Sequence, residues 1–268
     1  MGRIEAAFAR LRQQGATALI PFITAGDPDL GRTEELIHTL VEAGADIIEL
    51  GFPFSDPMAD GPVIQAASER ALAAGATLPA ILELVTRVRR HTNVPIVLMG
   101  YYNPIFHYGP ARFARDAAAS GVDGLLLVDL PPEESDEIHG DLRAAGVRLI
   151  TLLAPTTPPE RMARLAAAGE GFLYYVSMTG VTGASQVDAG AIESAVRSLR
   201  SLSPVPVAVG FGISSAADAA AVGSFADAVV VGSALVKVIA AYGNSSELSD
   251  QAGTFIRALK KNLPRRAA

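Results

Sequence analysis

Eight short apolar runs, each followed by a stretch of helical periodicity, limit what this 268-residue chain can fold into. They fall at residues 18–24, 46–50, 95–99, 124–128, 148–154, 172–177, 205–209 and 228–231. Each is too short for a buried helix and too continuously apolar for a strand with one wet face. Strands of that kind belong to a parallel sheet covered by helices on its outer side. Eight βα units in about 250 residues is the number at which such a sheet closes into a barrel. An open doubly wound sheet would need a Gly-rich dinucleotide turn after its first strand, and Thr24-Ala-Gly-Asp-Pro28 is not one. The expected fold is therefore α/β: a single-domain (β/α)8 TIM barrel over residues 1–268, with extra N-terminal and C-terminal helices at about 3–14 and 246–261. Two local expectations accompany it. Pro21 requires a tolerant position in strand one, and residues 101–109, rich in aromatics around Pro104, read as a loop.

In such a barrel the functional groups gather where the strands end. The stretch Glu49-Leu-Gly-Phe-Pro-Phe-Ser-Asp-Pro-Met-Ala-Asp-Gly-Pro62 starts with a carboxylate at the end of strand two. It continues into a Pro/Gly-rich loop holding Asp56 and Asp60, which no helix or strand would accept. Paired carboxylates at one mouth suit proton transfer. Tyr101 and Asn103 follow strand three, Asp129 ends strand four and Tyr174 lies in strand six, so several polar side chains converge there. Tyr101 and Tyr102 read equally as rim packing, and Asp129 equally as a cap. Asp46 and Asp123 precede strands, at the opposite end, and read as structural.

The second half of the chain offers an anion site. Gly210-Phe-Gly212 and Gly232-Ser233 follow strands seven and eight, and each leads into a helix N-terminus. Glycine lets a backbone approach an anion, and unpaired N–H groups with the helix dipole attract its charge. Thr179-Gly-Val-Thr-Gly183 adds a similar loop after strand six. His38, His91, His107 and His139 lack ligand spacing, so no metal is expected. The net charge of −6 without a basic stripe argues against nucleic acid or anionic membrane as a partner. The lack of cysteine and of a signal-like N-terminus fits a cytoplasmic location.

These motifs, in order and spacing over essentially the whole chain, resemble the tryptophan synthase α-subunit family. The resemblance rests on residues 21–28, 49–62, 101–104, 174–183, 210–214 and 231–233. It implies retro-aldol cleavage of indole-3-glycerol phosphate to indole and glyceraldehyde 3-phosphate. Glu49 and Asp60 would be the catalytic pair, and this chain would need no cofactor. Phe22, Met99, Leu126, Val128 and Phe211 would clamp the indole, with Tyr101 and Tyr174 beside it. Gly183, Gly212, Gly232 and Ser233 would hold the phosphate, and Thr182 would sit in a loop that closes over Asp60. Pro53 and Asp56 would face a β subunit carrying pyridoxal phosphate (PLP), in an α2β2 heterotetramer. Met178 departs from the family, many of whose members carry Arg there. A stand-alone lyase and a non-catalytic activator of the β chain remain as alternatives. Indole-glycerol-phosphate synthase, a related barrel, is disfavoured because the eight strands contain no lysine.

Overall fold

The computed structural model describes residues 1–176, 189–210 and 212–265. Its strands are β1 Ala18–Thr24, β2 Ile48–Gly51, β3 Ile96–Gly100, β4 Gly124–Leu127, β5 Arg148–Leu149, β6 Thr151–Leu153, β7 Leu173–Val176, β8 Val207–Gly210 and β9 Ala228–Val231. All pairings between them are parallel, in the order β5-β4-β3-β2-β1-β9-β8-β7-β6. The two ends of that order, β5 and β6, are halves of one run separated at Ile150. The first half pairs with β4 and the second with β7, so the run expected as strand five closes the barrel by changing partner midway. β1 does the same at Pro21: residues 18–21 pair with β9 and residues 22–24 with β2. Pro21 thus falls where one ladder hands over to the other, which is how a residue without an N–H is accommodated.

The helices are α1 Arg3–Gln13, α2 Leu30–Glu42, α3 Pro62–Ala73, α4 Leu78–Val88, α5 Tyr102–Tyr108, α6 Pro110–Ser120, α7 Asp136–Ala145, α8 Pro159–Ala167, α9 Ala189–Leu202, α10 Ala216–Gly223, α11 Ser233–Tyr242 and α12 Leu248–Asn262. α5 corrects the expectation of a loop over residues 101–109. Pro104 is its third residue, in the first turn where the missing N–H costs nothing, and Gly109 at φ +93° ends it. No single described helix is long and apolar enough to cross a membrane.

Two cores follow from strand alternation. One lies between the sheet and the outer helices, and includes Leu50, Leu98, Leu125, Val209 and Val229 with Leu36, Val85 and Ile256. The other fills the barrel, with Ile20, Val97, Leu126, Tyr174 and Val230. Ile4, Phe8 and Leu11 of α1 join this inner core, and the Phe8 ring lies 5.9 Å from Phe172 just ahead of β7. α1 therefore plugs the N-terminal end of the barrel, and the C-terminal end is the open one.

At the plugged end, aspartates tie strand starts together. Asp46 accepts the Leu19 N–H at 2.8 Å and is paired with Lys260 and Arg10. Asp123 accepts the Ile96 N–H at 2.8 Å and is paired with Arg89 and Arg3. Asp227 accepts the Val207 N–H at 3.0 Å and is paired with Arg200. Each carboxylate thus meets a backbone donor of a neighbouring strand and at least one cation.

Candidate active site

Side chains two apart on a strand share a face, about 6–7 Å from each other along it. Glu49 therefore points into the barrel one level below Gly51, and it pairs in register with Phe22 on one side and Val97 on the other. Gly51 has no side chain to place above it, and a Cβ there would strike the Phe22 ring. The ring of Phe22 occupies that space. Phe22 also packs with Met99, Ile64 and Val236, so it spans from the carboxylate side of the mouth to α11.

Glu49 is 1% exposed, and its Oε1 has no hydrogen-bond partner. Burial without a partnering cation penalises the ionised form, and it pushes the Glu49 carboxyl up to about 8. At neutral pH this group is a protonated acid. Tyr174, 5% exposed on β7, lies close enough for Glu49 to raise its phenol further above the ordinary value, beyond the larger effect of burial.

Asp60 is held differently. Its N–H donates to the Pro57 carbonyl at 3.0 Å, and its own carbonyl accepts Gln65 Nε2 at 2.8 Å. Burial raises its carboxyl to about 6, against a hydrogen bond from the Tyr101 hydroxyl that lowers it. Two carboxyls in one mouth thus differ in charge near neutral pH, Glu49 protonated and Asp60 ionised. Asp60 lines a small cavity with Phe22, Met99, Tyr101 and Val128, all named from the sequence. Thr24, Phe52, Phe54, Ile64 and Ser68 line it as well and were missed. Ser68 had a signal, since it is a polar residue on the buried stripe Ile64, Ala67, Ser68, Ala71 of α3. Thr24 Oγ1 is buried without a partner at the end of β1.

Two strands along the barrel from β2, α11 begins at Ser233 with Gly232 as its N-cap and no side-chain cap. The two serines before α10 are not equivalent to it. The Ser214 and Ser215 N–H groups both donate to the Asp218 carboxylate, at 3.1 and 2.9 Å, in a capping box that spends them internally. Among the described residues, anion capacity is therefore concentrated at Gly232 and Ser233, with Gly212 (φ +75°) just after β8. Ser233→Asp would place a carboxylate at that terminus. It is expected to stabilise the fold by about 0.3–1 kcal/mol through the dipole while weakening binding of inorganic phosphate at least about tenfold, read by thermal unfolding and calorimetry.

Leu126 is fully buried in the inner core, and Val128 is half-buried beside it. Thr182, Gly183, Phe211 and Met178 lie outside the described residues. Asp129 is a cap, since its Oδ1 accepts the Tyr102 N–H at 2.8 Å at the start of α5. Pro53 is buried and Asp56 is exposed, accepting the Ser55 hydroxyl. An open hollow of about 620 Å³ lies along this outer limb, between Phe54, Asp56, Met58 and Gln65, Glu69, Leu72 of α3, with Met58 83% exposed. Among the described residues no three His, Asp or Glu side chains are arranged to hold a metal ion.

A parallel barrel plugged at one end, with a protonated and an ionised carboxyl at the other, belongs to the TIM-barrel enzymes that place their chemistry at strand ends. Within that class the chain belongs to the tryptophan synthase alpha chain family, a family of lyases, whose pattern it matches over residues 8–263. It is 56% identical over 263 residues to the tryptophan synthase alpha chain of Geobacter sp. (strain M21), covering 98% of each chain. Among solved structures it resembles tryptophan synthase subunit alpha from Legionella pneumophila str. Paris, with a TM-score of 0.90, 39% identity and 98% of both chains covered. It also resembles a chain of the tryptophan synthase complex from Pyrococcus furiosus, with a TM-score of 0.81 and 38% identity over 92% of this chain and 98% of that one.

Proposed function

We propose that this chain cleaves indole-3-glycerol phosphate to indole and glyceraldehyde 3-phosphate, without a cofactor of its own. It would act as the α subunit of an α2β2 assembly whose β subunit uses pyridoxal phosphate to convert the indole to tryptophan. The observation that carries this reading is the difference between the two carboxyls: Glu49 raised to about 8 and Asp60 to about 6 in one mouth.

The reaction needs that difference. Glu49, entering as the acid, donates its proton to indole C3 while Asp60, entering as the base, takes the proton from N1. The resulting 3H-indole is an electron sink. The Glu49 carboxylate then takes the glycerol hydroxyl proton, the C3–carbon bond breaks, its electron pair returns to the ring and Asp60 returns the proton to N1. Indole and an aldehyde leave with every proton accounted for. General acid–base steps of this kind contribute about 10²–10⁴-fold each. Phe22, Met99, Leu126 and Val128 would supply the apolar walls for the ring, with Tyr174 beside them; Phe211, assigned to the same set by the resemblance, lies outside the described residues. Gly212, Gly232 and Ser233 would hold the phosphate; Gly183, assigned to the same role by the resemblance, and Thr182, assigned to a loop closing over Asp60, lie outside the described residues. Pro53 and Asp56 belong to the limb that meets the β subunit, a role supported by the exposed Met58 and the hollow beside it.

The test is indole release from indole-3-glycerol phosphate by the purified chain, alone and with a β subunit. Equal amounts of indole and glyceraldehyde 3-phosphate are expected, faster with the β subunit. Neither product under either condition would contradict the reading.

A further inference from the structure

Tyr101 is the first residue beyond β3 and is 3% exposed. Its hydroxyl accepts the Ala59 N–H at 2.9 Å and hydrogen-bonds to the carboxylate of Asp60. A phenol has a single proton. Given to the ionised Asp60, it is no longer available to a substrate. The Tyr101 ring lies 5.3 Å from that of Phe54, on the other limb of the same acidic loop. The next residue ties this arrangement to the rest of the rim. The Tyr102 N–H donates to Asp129 Oδ1 and its hydroxyl to Glu137 Oε2, each at 2.8 Å. Asp60 is therefore held by its own backbone bonds and, at the side chain, by a group anchored on two other strand ends.

We infer that Tyr101 is the positioning residue for Asp60: its hydroxyl, committed to that carboxylate, fixes it at the mouth. This rests on the reading of Asp60 as the base for N1. Beyond aiming the group, a hydrogen bond to a carboxylate favours the ionised form, the form the base must have at the start of the reaction. The effect opposes burial, which acts the other way on Asp60. Among the described residues lining the cavity, Tyr101 is the only other ionisable group, because Thr24 of β1, Ser68 of α3 and Val128 after β4 carry no titrating proton. Glu49 lies a level deeper on β2.

The test is Tyr101→Phe in the full chain with its β subunit, with intact folding read from glycerol phosphate binding. A hydrogen bond to a charged group is worth about 1.5–3 kcal/mol, so the acid limb of kcat/KM should move up by about one pH unit or more. kcat should fall and KM should change little. The second ionisation of the substrate phosphate, near about 6, also contributes to that limb. It is the same for both proteins and does not move, so the displacement belongs to the enzyme. Incorporating 3,5-difluorotyrosine at position 101 keeps the packing and strengthens the donor, and should move the limb down instead. An unchanged limb in both variants, with or without a lower Tm, overturns the inference and leaves Tyr101 as packing. Carbon-13 titration of the Asp60 carboxyl reads the same displacement without turnover. A wild-type chain that releases no indole would therefore contradict the proposed reaction, while the NMR shift still decides the role of Tyr101.

Discussion

Glu49→Gln is expected to lower kcat for indole release by about 10²–10⁴-fold or more while leaving glycerol phosphate binding unchanged. The amide keeps the shape of the carboxyl between Phe22 and Val97 but can neither give up nor take the proton that the proposed reaction moves to C3 and from the hydroxyl. The same substitution should change stability in a pH-dependent way. The carboxyl rises from 4.5 to about 8 on folding, so the native state keeps a proton that the unfolded chain releases. The wild-type chain therefore has the full contribution of Glu49 below pH about 4.5 and loses it as the pH climbs toward 8. At about 1.4 kcal/mol per unit, the Gln variant should gain on the order of 4 kcal/mol over wild type between pH 5 and 8. Denaturant unfolding at the two pH values measures this. A difference independent of pH would mean that Glu49 is ionised in the folded protein.

Asp123→Ala, at the plugged end, should do the reverse, removing stability and leaving the chemistry alone. Its carboxylate meets the Ile96 N–H at 2.8 Å, Arg89 at 2.6 Å and Arg3 at 3.1 Å. The Arg89 side chain is only 9% exposed, so deleting its partner leaves a buried cation to backbone carbonyls, among them those of Gly121 and Val94, and deprives a backbone donor of its acceptor. Breaking a buried pair this way costs about 3–5 kcal/mol, or a fall in Tm of roughly 6–20 °C for a chain of this size. Asp123→Asn, which retains an acceptor for Ile96, should lose less. kcat per folded molecule should be unchanged in both, because the residue lies at the opposite end of the barrel from Glu49 and Asp60. A loss of kcat at full folding would show that the two ends are coupled.

The barrel was legible because its strands are continuous apolar runs, each followed by a helix, and because Thr24-Ala-Gly-Asp-Pro28 is not the dinucleotide turn of an open sheet. Local departures came where tertiary pairing overrode a local pattern. The run 148–154 looks like one strand, and only the two neighbours competing for its halves split it at Ile150. The segment 102–108 is too short and too aromatic to announce a helix, yet Asp129, arriving from another strand, caps its first N–H. The carboxylates Glu49 and Asp60 could be placed on strand and loop from sequence, but not the difference in their proton affinity. That difference depends on how completely each is buried and on a hydroxyl 41 positions from Asp60. Nor could the sequence distinguish the serines before α10 from that at the start of α11, because the distinction is Asp218, which occupies the N–H groups of one terminus only.

The division of labour between the two carboxyls is tested most directly by the pH dependence of kcat/KM for indole-3-glycerol phosphate cleavage. An active form with Glu49 protonated and Asp60 ionised exists only between their two ionisations. The profile should be bell-shaped, falling below about 6 and again above about 8. The alkaline limb has no counterpart in the substrate phosphate, whose second ionisation lies near about 6. A rate that stays level through pH 9 would mean that the proton for C3 does not come from Glu49, and would contradict the account.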